Sequence, residues 1–99
     1  MTRRLRLRPR AESDLAEIWL YSVAQWSVSQ ADLYLSGLND ALTLLRNQPE
    51  IARRHGKKVP PVRLHTYRSH LVIFTADDTL LEVIRVVHAR SNWQALLAE

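Results

Sequence analysis

The segment that decides the fold lies in the last third of the chain and reads Leu81-Glu82-Val83-Ile84-Arg85-Val86-Val87-His88-Ala89-Arg90-Ser91-Asn92-Trp93. Its apolar first half predicts a buried strand, and three basic side chains mark the end of that strand: Arg85, His88 and Arg90. Side chains at the end of a buried strand are held in place by the sheet. They therefore form a candidate surface for a partner, and an amphipathic tail follows them.

Working outward, the residues before this segment predict a strand and two helices. Residues 3–8 alternate basic and apolar side chains, which is the period of a strand, and Pro9 suits the first turn of a helix. The first apolar stripe at helical spacing comprises Ala11, Leu15, Ile18, Trp19, Ser22 and Trp26. The second comprises Ala31, Tyr34, Leu35, Leu38, Ala41, Leu42 and Leu45. Their short connection predicts an antiparallel helical hairpin with the aromatic residues of both stripes in the core.

Local signals refine the ends of these helices and their contact. Ser27 and Gln30 have capping-box spacing, so we expect Ser27 to cap the second helix and Gln30 to reach back to it. Gly37 interrupts the second stripe, and we interpret it as a point where the first helix packs closely.

The rest of the chain predicts a three-stranded meander. Residues 49–61 lack periodicity and are interpreted as an exposed basic loop. Residues 62–67 alternate, and residues 71–74 and 80–87 form apolar runs separated by a turn. The predicted architecture is one α+β domain, residues 1–99, with the helical hairpin on one face of a small, mainly antiparallel sheet. The order is β-α-α-β-β-β plus a short C-terminal tail, with the first strand expected beside the last-formed strands.

Composition limits the class of protein. The chain has 99 residues, 46% of them hydrophobic, and no cysteine, which predicts a single domain without disulfides in a reducing cytosol. No segment has the length of a membrane span or the character of a signal peptide, so we expect a cytoplasmic protein that has no membrane partner. The net charge of +4 favours a polyanionic partner, either nucleic acid or an acidic protein.

Several kinds of chemistry are disfavoured. The four histidines, at positions 55, 65, 70 and 88, lack the spacing of a helical metal site, so we expect no metal. The chain has only two glycines and no phosphate-binding loop, which argues against nucleotide hydrolysis and against a nucleotide cofactor.

A family resemblance rests on residues whose order and spacing run through nearly the whole chain. Upstream they are Asp14-Leu15, Ile18-Trp19, Tyr21, Trp26, Ala31, Tyr34 and Pro49. With the segment that ends His88-Ala89-Arg90-Ser91-Asn92-Trp93, the chain resembles the ParE branch of the RelE/ParE toxin superfamily from about Pro9 to Trp93. Asn92 stands where that family usually has an aspartate.

The resemblance implies a toxin of a type II toxin–antitoxin system that poisons DNA gyrase by stabilising its cleaved-DNA state, with no catalytic residues or cofactor of its own. It also implies a cognate ParD-like antitoxin, bound as a hetero-oligomer, and at most indirect contact with DNA. Within it, we assign target binding to Arg85, His88, Arg90 and Trp93. We assign antitoxin binding to Arg53, Arg54, Lys57, Lys58, Arg63 and Tyr67.

Three rival functions stay open on the sequence alone. The superfamily includes ribosome-dependent mRNA nucleases, and His88, Arg85 and Arg63 could supply the acid or base and the phosphate contacts. The residues after the last strand contain no Tyr, His or Lys, which disfavours cleavage. The second rival function is that of a plain nucleic-acid-binding module, and the third is that of an inactive toxin that still binds its antitoxin. Trp93 either caps the core or is an exposed anchor for a partner.

Overall fold

The computed structural model describes residues 3–97 and has the predicted α+β architecture. The helices are α1 (Pro9–Gln25), α2 (Val28–Asn47) and the short α3 (Trp93–Leu97), with a 3-10 turn at Pro49–Ile51. The strands are β1 (Arg4–Leu7), β2 (Arg53–His55), β3 (Val62–Tyr67), β4 (His70–Ala76) and β5 (Leu80–His88). The predicted order of elements is confirmed, and β2 and α3 add to it.

The strands form one mixed sheet in the order β1-β5-β4-β3-β2. The last three strands make the predicted antiparallel meander. β1 pairs in parallel with β5, with Leu5 opposite Leu81, so the expected position of the first strand is confirmed. This pairing places the start of the chain against the strand that carries Arg85 and His88.

The interpretation of residues 49–61 as loop throughout was wrong in its first half. Pro49–Ile51 forms a 3-10 turn, and β2 joins the sheet edge by pairing with β3, with Arg54 opposite Arg63. The strand has three residues, all polar, so it has no apolar alternation that could reveal it. Backbone pairing alone brings it into the sheet.

The hairpin of α1 and α2 packs on one face of the sheet, as predicted. Except for Ala52, which precedes β2, the buried side chains of this core come from both helices and from β4 and β5: Ala11, Ile18, Leu38, Leu42, Leu45, Val72, Phe74, Leu81, Val83 and Val86. The Ser27 hydroxyl accepts a hydrogen bond from the Gln30 backbone N–H at 3.1 Å, which confirms the cap of α2. The hairpin is therefore fixed to β5 and β4, the two strands next to β1 in the sheet.

Gly37 makes a close contact, but not with α1. A Cβ at this position would overlap the Tyr67 hydroxyl of β3. The stripe on α2 gave no indication of which element lies opposite, so the expected α1 contact was wrong. Gly37 instead leaves room for a tyrosine between α2 and the sheet.

Trp26 is an exception to the predicted core. Its side chain is 74% exposed, because it follows the last residue of α1 and its backbone (φ −128°, ψ −87°) has left the helix. The helical phase that places Ile18 and Ser22 in the core therefore no longer applies to it. Trp19 and Tyr34 are half-buried, and the Trp19 ring N–H donates to Asp32 Oδ1 at 2.9 Å.

The opposite face of the sheet is covered by the C-terminal segment. Here the buried residues are Val62, Leu64, Leu71, Ile73 and Val87, and Trp93, Leu96 and Leu97 pack against them. The tail thus closes a second, smaller core. Within residues 3–97, no helix has the length and apolarity needed to cross a membrane.

Candidate functional site

A bulge in β5 shapes the candidate site. Ile73 pairs with Arg85, whereas the next residue of β4, Phe74, pairs with Val83, so Ile84 is an extra residue in β5. Such an extra residue resets the alternation of side chains along the strand. Val83 and Val86 consequently both contribute to the core beneath the helices.

Asp14 of α1 binds the strand at this bulge. Its buried carboxylate accepts hydrogen bonds from Arg85 Nε at 2.8 Å, Arg85 Nη2 at 3.0 Å and the Val86 backbone N–H at 3.0 Å. The pair is largely shielded from solvent, with side-chain exposures of 17% for Arg85 and 9% for Asp14. A bidentate guanidinium–carboxylate pair fixes both partners in orientation. Asp14 therefore holds α1 and β5 together just before the end of the strand.

Beyond this ion pair lies a cleft of about 940 Å³ between α1, the start of α2, the β3–β4 turn and the end of β5. Two aromatic side chains in its lining are largely exposed, Tyr21 at 65% and Trp26 at 74%. The turn and β5 contribute basic and hydrogen-bonding groups: Arg68, Ser69, His70, Arg85 and His88. The cleft lies within the volume range of ordinary ligand pockets but is open and partly polar.

Two histidines and a tyrosine are connected at one end of the cleft. His70 and His88 are opposite residues on β4 and β5, and their rings meet edge to face at 5.7 Å. The Tyr34 hydroxyl lies 2.6 Å from Nδ1 of His70. Nδ1 of His88 accepts the Arg90 backbone N–H at 3.1 Å, which leaves the proton of the neutral ring on Nε2.

Burial sets the ionisation of this group. It lowers the pKa of His70 below its ordinary value, and the nearby His88 lowers it further. Burial also raises the pKa of the Tyr34 hydroxyl. Near neutral pH His70 is therefore uncharged and Tyr34 is protonated, so this end of the cleft is polar with little fixed charge on its floor.

The structure brings together only some of the predicted target-binding residues. Arg85 and His88 line the cleft, and exposed Arg90 lies in the turn just beyond it. Trp93 lies on the other side of the sheet, where its ring packs edge to face against His55 at 4.9 Å and against the second core. The geometry thus gives Trp93 a packing role, and its contact with a target stays a prediction.

The predicted antitoxin-binding residues also divide. Arg53 and Arg54 are exposed on β2, and Lys57 and Lys58 are exposed in the loop that follows, so they form one basic edge. Arg63 is half-buried and donates to the Ala52 carbonyl at 2.8 Å.

Tyr67 belongs to neither the basic edge nor the end of β5. It packs edge to face on Tyr34 with ring centres 5.3 Å apart and lies beneath Gly37. These contacts place it between α2 and the sheet.

The nuclease hypothesis lacks an assembled site among the described residues. Arg85 is paired with Asp14, and the Arg63 guanidinium is bound at Ala52, away from His88. Residues 3–97 contain no group of three or more His, Asp and Glu side chains that could hold a metal ion.

Sequence reasoning missed the Asp14–Arg85 pair and the role of Arg68 in the cleft. A signal for the pair was present, because Asp14 lies three residues after Ala11 and four before Ile18, in the middle of an apolar stripe. An acid in that position needs a buried partner, and the only arginine within the apolar run of β5 is Arg85.

Solved structures of other proteins share this fold. The structure is similar to a solved structure described as the chromosomal ParDE toxin–antitoxin system of P. aeruginosa, with a TM-score of 0.73, 17% identity and coverage of 88% of this chain and 96% of that chain. It is also similar to the RelBE2 toxin–antitoxin complex of Mycobacterium tuberculosis, with a TM-score of 0.58, 15% identity and coverage of 89% and 99%. At these identities the likeness shows the fold alone.

The sequence comparisons identify the family. A family model described as the ParE toxin of type II toxin–antitoxin systems, parDE, matches residues 5–93. Toxin ParE1 of Mycobacterium tuberculosis is 34% identical over 94 residues, covering 93% of this chain and 95% of that protein. Toxin ParE1 of Caulobacter vibrioides is 33% identical over 92 residues, with coverage of 93% and 95%. The chain belongs to the ParE toxin family.

Proposed function

We propose that this toxin inhibits DNA gyrase by binding it and stabilising its cleaved-DNA state, and that a ParD-like antitoxin neutralises it. Membership of the ParE family supports a toxin, and the likeness to structures of toxin–antitoxin systems supports an antitoxin partner. The toxin acts in the cytoplasm, where gyrase is found, and needs no metal or cofactor. Its contact with DNA is indirect, through the gyrase complex.

One observation favours binding over cleavage: both arginines that could contact a scissile phosphate already bind groups within the protein. Phosphate cleavage needs cationic groups directed at the scissile phosphate beside an acid or base. Arg85 is held by Asp14, and Arg63 by the Ala52 carbonyl. His88 is left with His70 as its ring neighbour. This arrangement suits a recognition surface better than a nuclease site.

Target binding is assigned to the end of β5. His88 and Arg90 are exposed and adjacent to the turn at Ser91, whose hydroxyl donates to the His88 carbonyl at 2.7 Å. Arg85 fixes the direction of the strand through Asp14, and Trp93 fixes the tail against the second core. In this proposal His88 and Arg90 touch gyrase, while the other two hold the segment in place.

Antitoxin binding is assigned first to the basic edge at Arg53, Arg54, Lys57 and Lys58. An acidic antitoxin would be attracted to this edge, and the burial of apolar surface would then hold the complex. Exposed Leu33 and Leu44 on α2 offer apolar surface on the helical hairpin.

The proposal is tested by inducing the toxin in growing bacteria and following DNA and protein synthesis by pulse labelling. DNA synthesis should stop first, with induction of the SOS response, and co-expression of the antitoxin should prevent both effects. The double variant His88→Ala/Arg90→Ala should lose toxicity, whereas Arg10→Ala, an exposed change on α1, should retain it. Early arrest of translation with cleaved messages would instead support the nuclease hypothesis.

A further inference from the structure

The turn between β3 and β4 has a backbone conformation that its sequence does not favour. Tyr67 pairs with His70, so Arg68 and Ser69 are the two central residues of a tight hairpin. Arg68 has φ +50°, in the left-handed region. A positive φ at the first central position is normally supplied by glycine, because other side chains are strained there.

The surrounding structure holds this turn in place. β3 and β4 are paired on both sides of it, and the Ala89 backbone N–H donates to the Ser69 carbonyl at 2.8 Å. The Arg68 guanidinium lies over the Tyr67 ring, 5.8 Å from its centre. A strained residue that is held in place by its surroundings often has a function. At this position glycine would avoid the strain, so we infer that the function lies in the Arg68 side chain.

Arg68 lines the cleft together with His70 and His88, so three groups that can carry positive charge face the same space. His70 can gain a proton when an anion approaches, and His88, whose Nδ1 is occupied by the Arg90 N–H, can donate a hydrogen bond from Nε2. The β3–β4 turn and the adjoining strand ends thus offer an anion one permanent cation, Arg68, and two histidine rings.

The other wall of the cleft differs in character. α1 contributes the exposed ring of Tyr21 and two carboxylates, Glu17 and the Arg85-paired Asp14, and the exposed ring of Trp26 follows at its end. A nucleic-acid backbone needs a continuous basic track, and a carboxylate on the opposite wall interrupts such a track. An amphipathic peptide needs instead an apolar contact at one wall and a cation for an acidic side chain at the other.

We propose that Arg68, with His70 and His88, binds a carboxylate side chain of an acidic, amphipathic antitoxin segment whose apolar residues contact Tyr21 and Trp26. This assignment rests on the proposed function, because the antitoxin supplies the peptide. It adds a second contact surface to the basic edge at Arg53 and Arg54, on the helical side of the sheet. It also makes Arg68 a specificity-determining residue for the partner.

The charged and titratable groups around the histidines define the pH dependence of this contact. Arg68, Glu17 and the Asp14–Arg85 ion pair line the same cleft, and the Tyr34 hydroxyl lies 2.6 Å from Nδ1 of His70. A bound carboxylate would counteract the effect of burial on the pKa of His70. Affinity for the antitoxin should therefore increase as the pH falls below about 6.5, where His70, whose pKa is lowered by burial, begins to take up a proton.

Arg68→Gly separates binding from folding, because glycine accepts φ +50° without strain. The variant should be at least as resistant to urea as the wild type. Its dissociation constant for the antitoxin encoded beside this chain's gene, measured by calorimetry with full-length proteins, should be about tenfold higher or more, as expected for a lost charged hydrogen bond. The matched control, Arg10→Gln, removes the same charge outside the cleft and should bind like the wild type.

Three results would overturn parts of this assignment in distinguishable ways. Wild-type affinity in Arg68→Gly would overturn the carboxylate site while leaving the antitoxin partner intact. Failure of the wild-type chain to bind the antitoxin would overturn both the site and the antitoxin component of the proposed function. Stoichiometric binding of a labelled DNA oligonucleotide that Arg68→Gly abolishes would reassign the cleft to nucleic acid. A histidine NMR titration should show the pKa of His70 higher in the wild-type complex than in the free toxin.

Discussion

Replacing Asp14 by alanine should destabilise the fold more than any surface change on α1. The substitution leaves the Arg85 guanidinium without its carboxylate and removes the acceptor of the Val86 N–H. Breaking a buried ion pair from one side costs about 3–5 kcal/mol, and the 17% exposure of Arg85 places this case near the lower limit, at about 3 kcal/mol. For a domain of this size, that corresponds to a loss of about 12 °C or more in Tm.

Urea unfolding followed by circular dichroism measures the loss, with Glu17→Ala as the control, an exposed carboxylate three residues further along the same helix. The double variant Asp14→Leu/Arg85→Met should regain at least half of the lost stability, because it leaves no unpaired charge in the protein. A loss below about 1 kcal/mol in Asp14→Ala would show that the pair is solvated and does not join α1 to β5.

Three further predictions concern packing and pH. Gly37→Ala should lower the unfolding free energy by about 1 kcal/mol, because the clash with the Tyr67 hydroxyl outweighs the gain in helix propensity. The loss should be smaller in a Tyr67→Phe background, and unchanged stability in urea would contradict the clash. Trp93→Ala should cost about 2 kcal/mol, measured by urea unfolding, since its ring packs on His55 and the second core; full stability would make Trp93 a contact residue only. Hydrogen bonds from Thr79 and Leu80 lower the pKa of Asp77. The Asp77 carboxylate therefore stabilises the fold at any pH above its unfolded pKa, and this stabilisation is lost as the pH falls through the lower pKa of the folded state. Asp77→Asn should reduce the loss of stability below about pH 4, and an unchanged profile of stability against pH would contradict this role of Asp77.

The sequence predicted the parts of the fold that depend on periodicity. The two helical stripes and the apolar runs of β4 and β5 define the hairpin and the centre of the sheet, since burial imposes a period of 3.6 or 2 on each. The place of the first strand beside the last-formed strands was also predicted correctly, whereas its parallel pairing with β5 was left open. These elements carry most of the buried apolar surface, which explains why the pattern is strong there.

The parts that were missed depend on pairing between distant residues. Asp14 and Arg85 are 71 positions apart, and no local pattern connects them. β2 is held by backbone hydrogen bonds that any residue can make, and Trp26 leaves the core because α1 ends one residue earlier. Arg68 gave no signal at all, because its importance depends on a positive φ that the sequence disguises by placing arginine where glycine is usual.

The cleft shows why function was harder to predict than fold. Its walls come from α1, α2, the β3–β4 turn and β5, which are adjacent only after folding. The sequence indicated that His88 lies at the end of the last strand. It could not reveal that Arg85, in the same strand, is paired with Asp14 of α1. Because Asp14 occupies the Arg85 guanidinium, the end of β5 suits binding of a partner better than cleavage of RNA.

The most direct test of the account is a gyrase assay with the purified chain, relaxed plasmid and ATP, followed by detergent and protease treatment. We expect inhibition of supercoiling and accumulation of linear DNA, and we expect the antitoxin to abolish both. Normal supercoiling without linear DNA at a large molar excess of toxin would contradict gyrase poisoning.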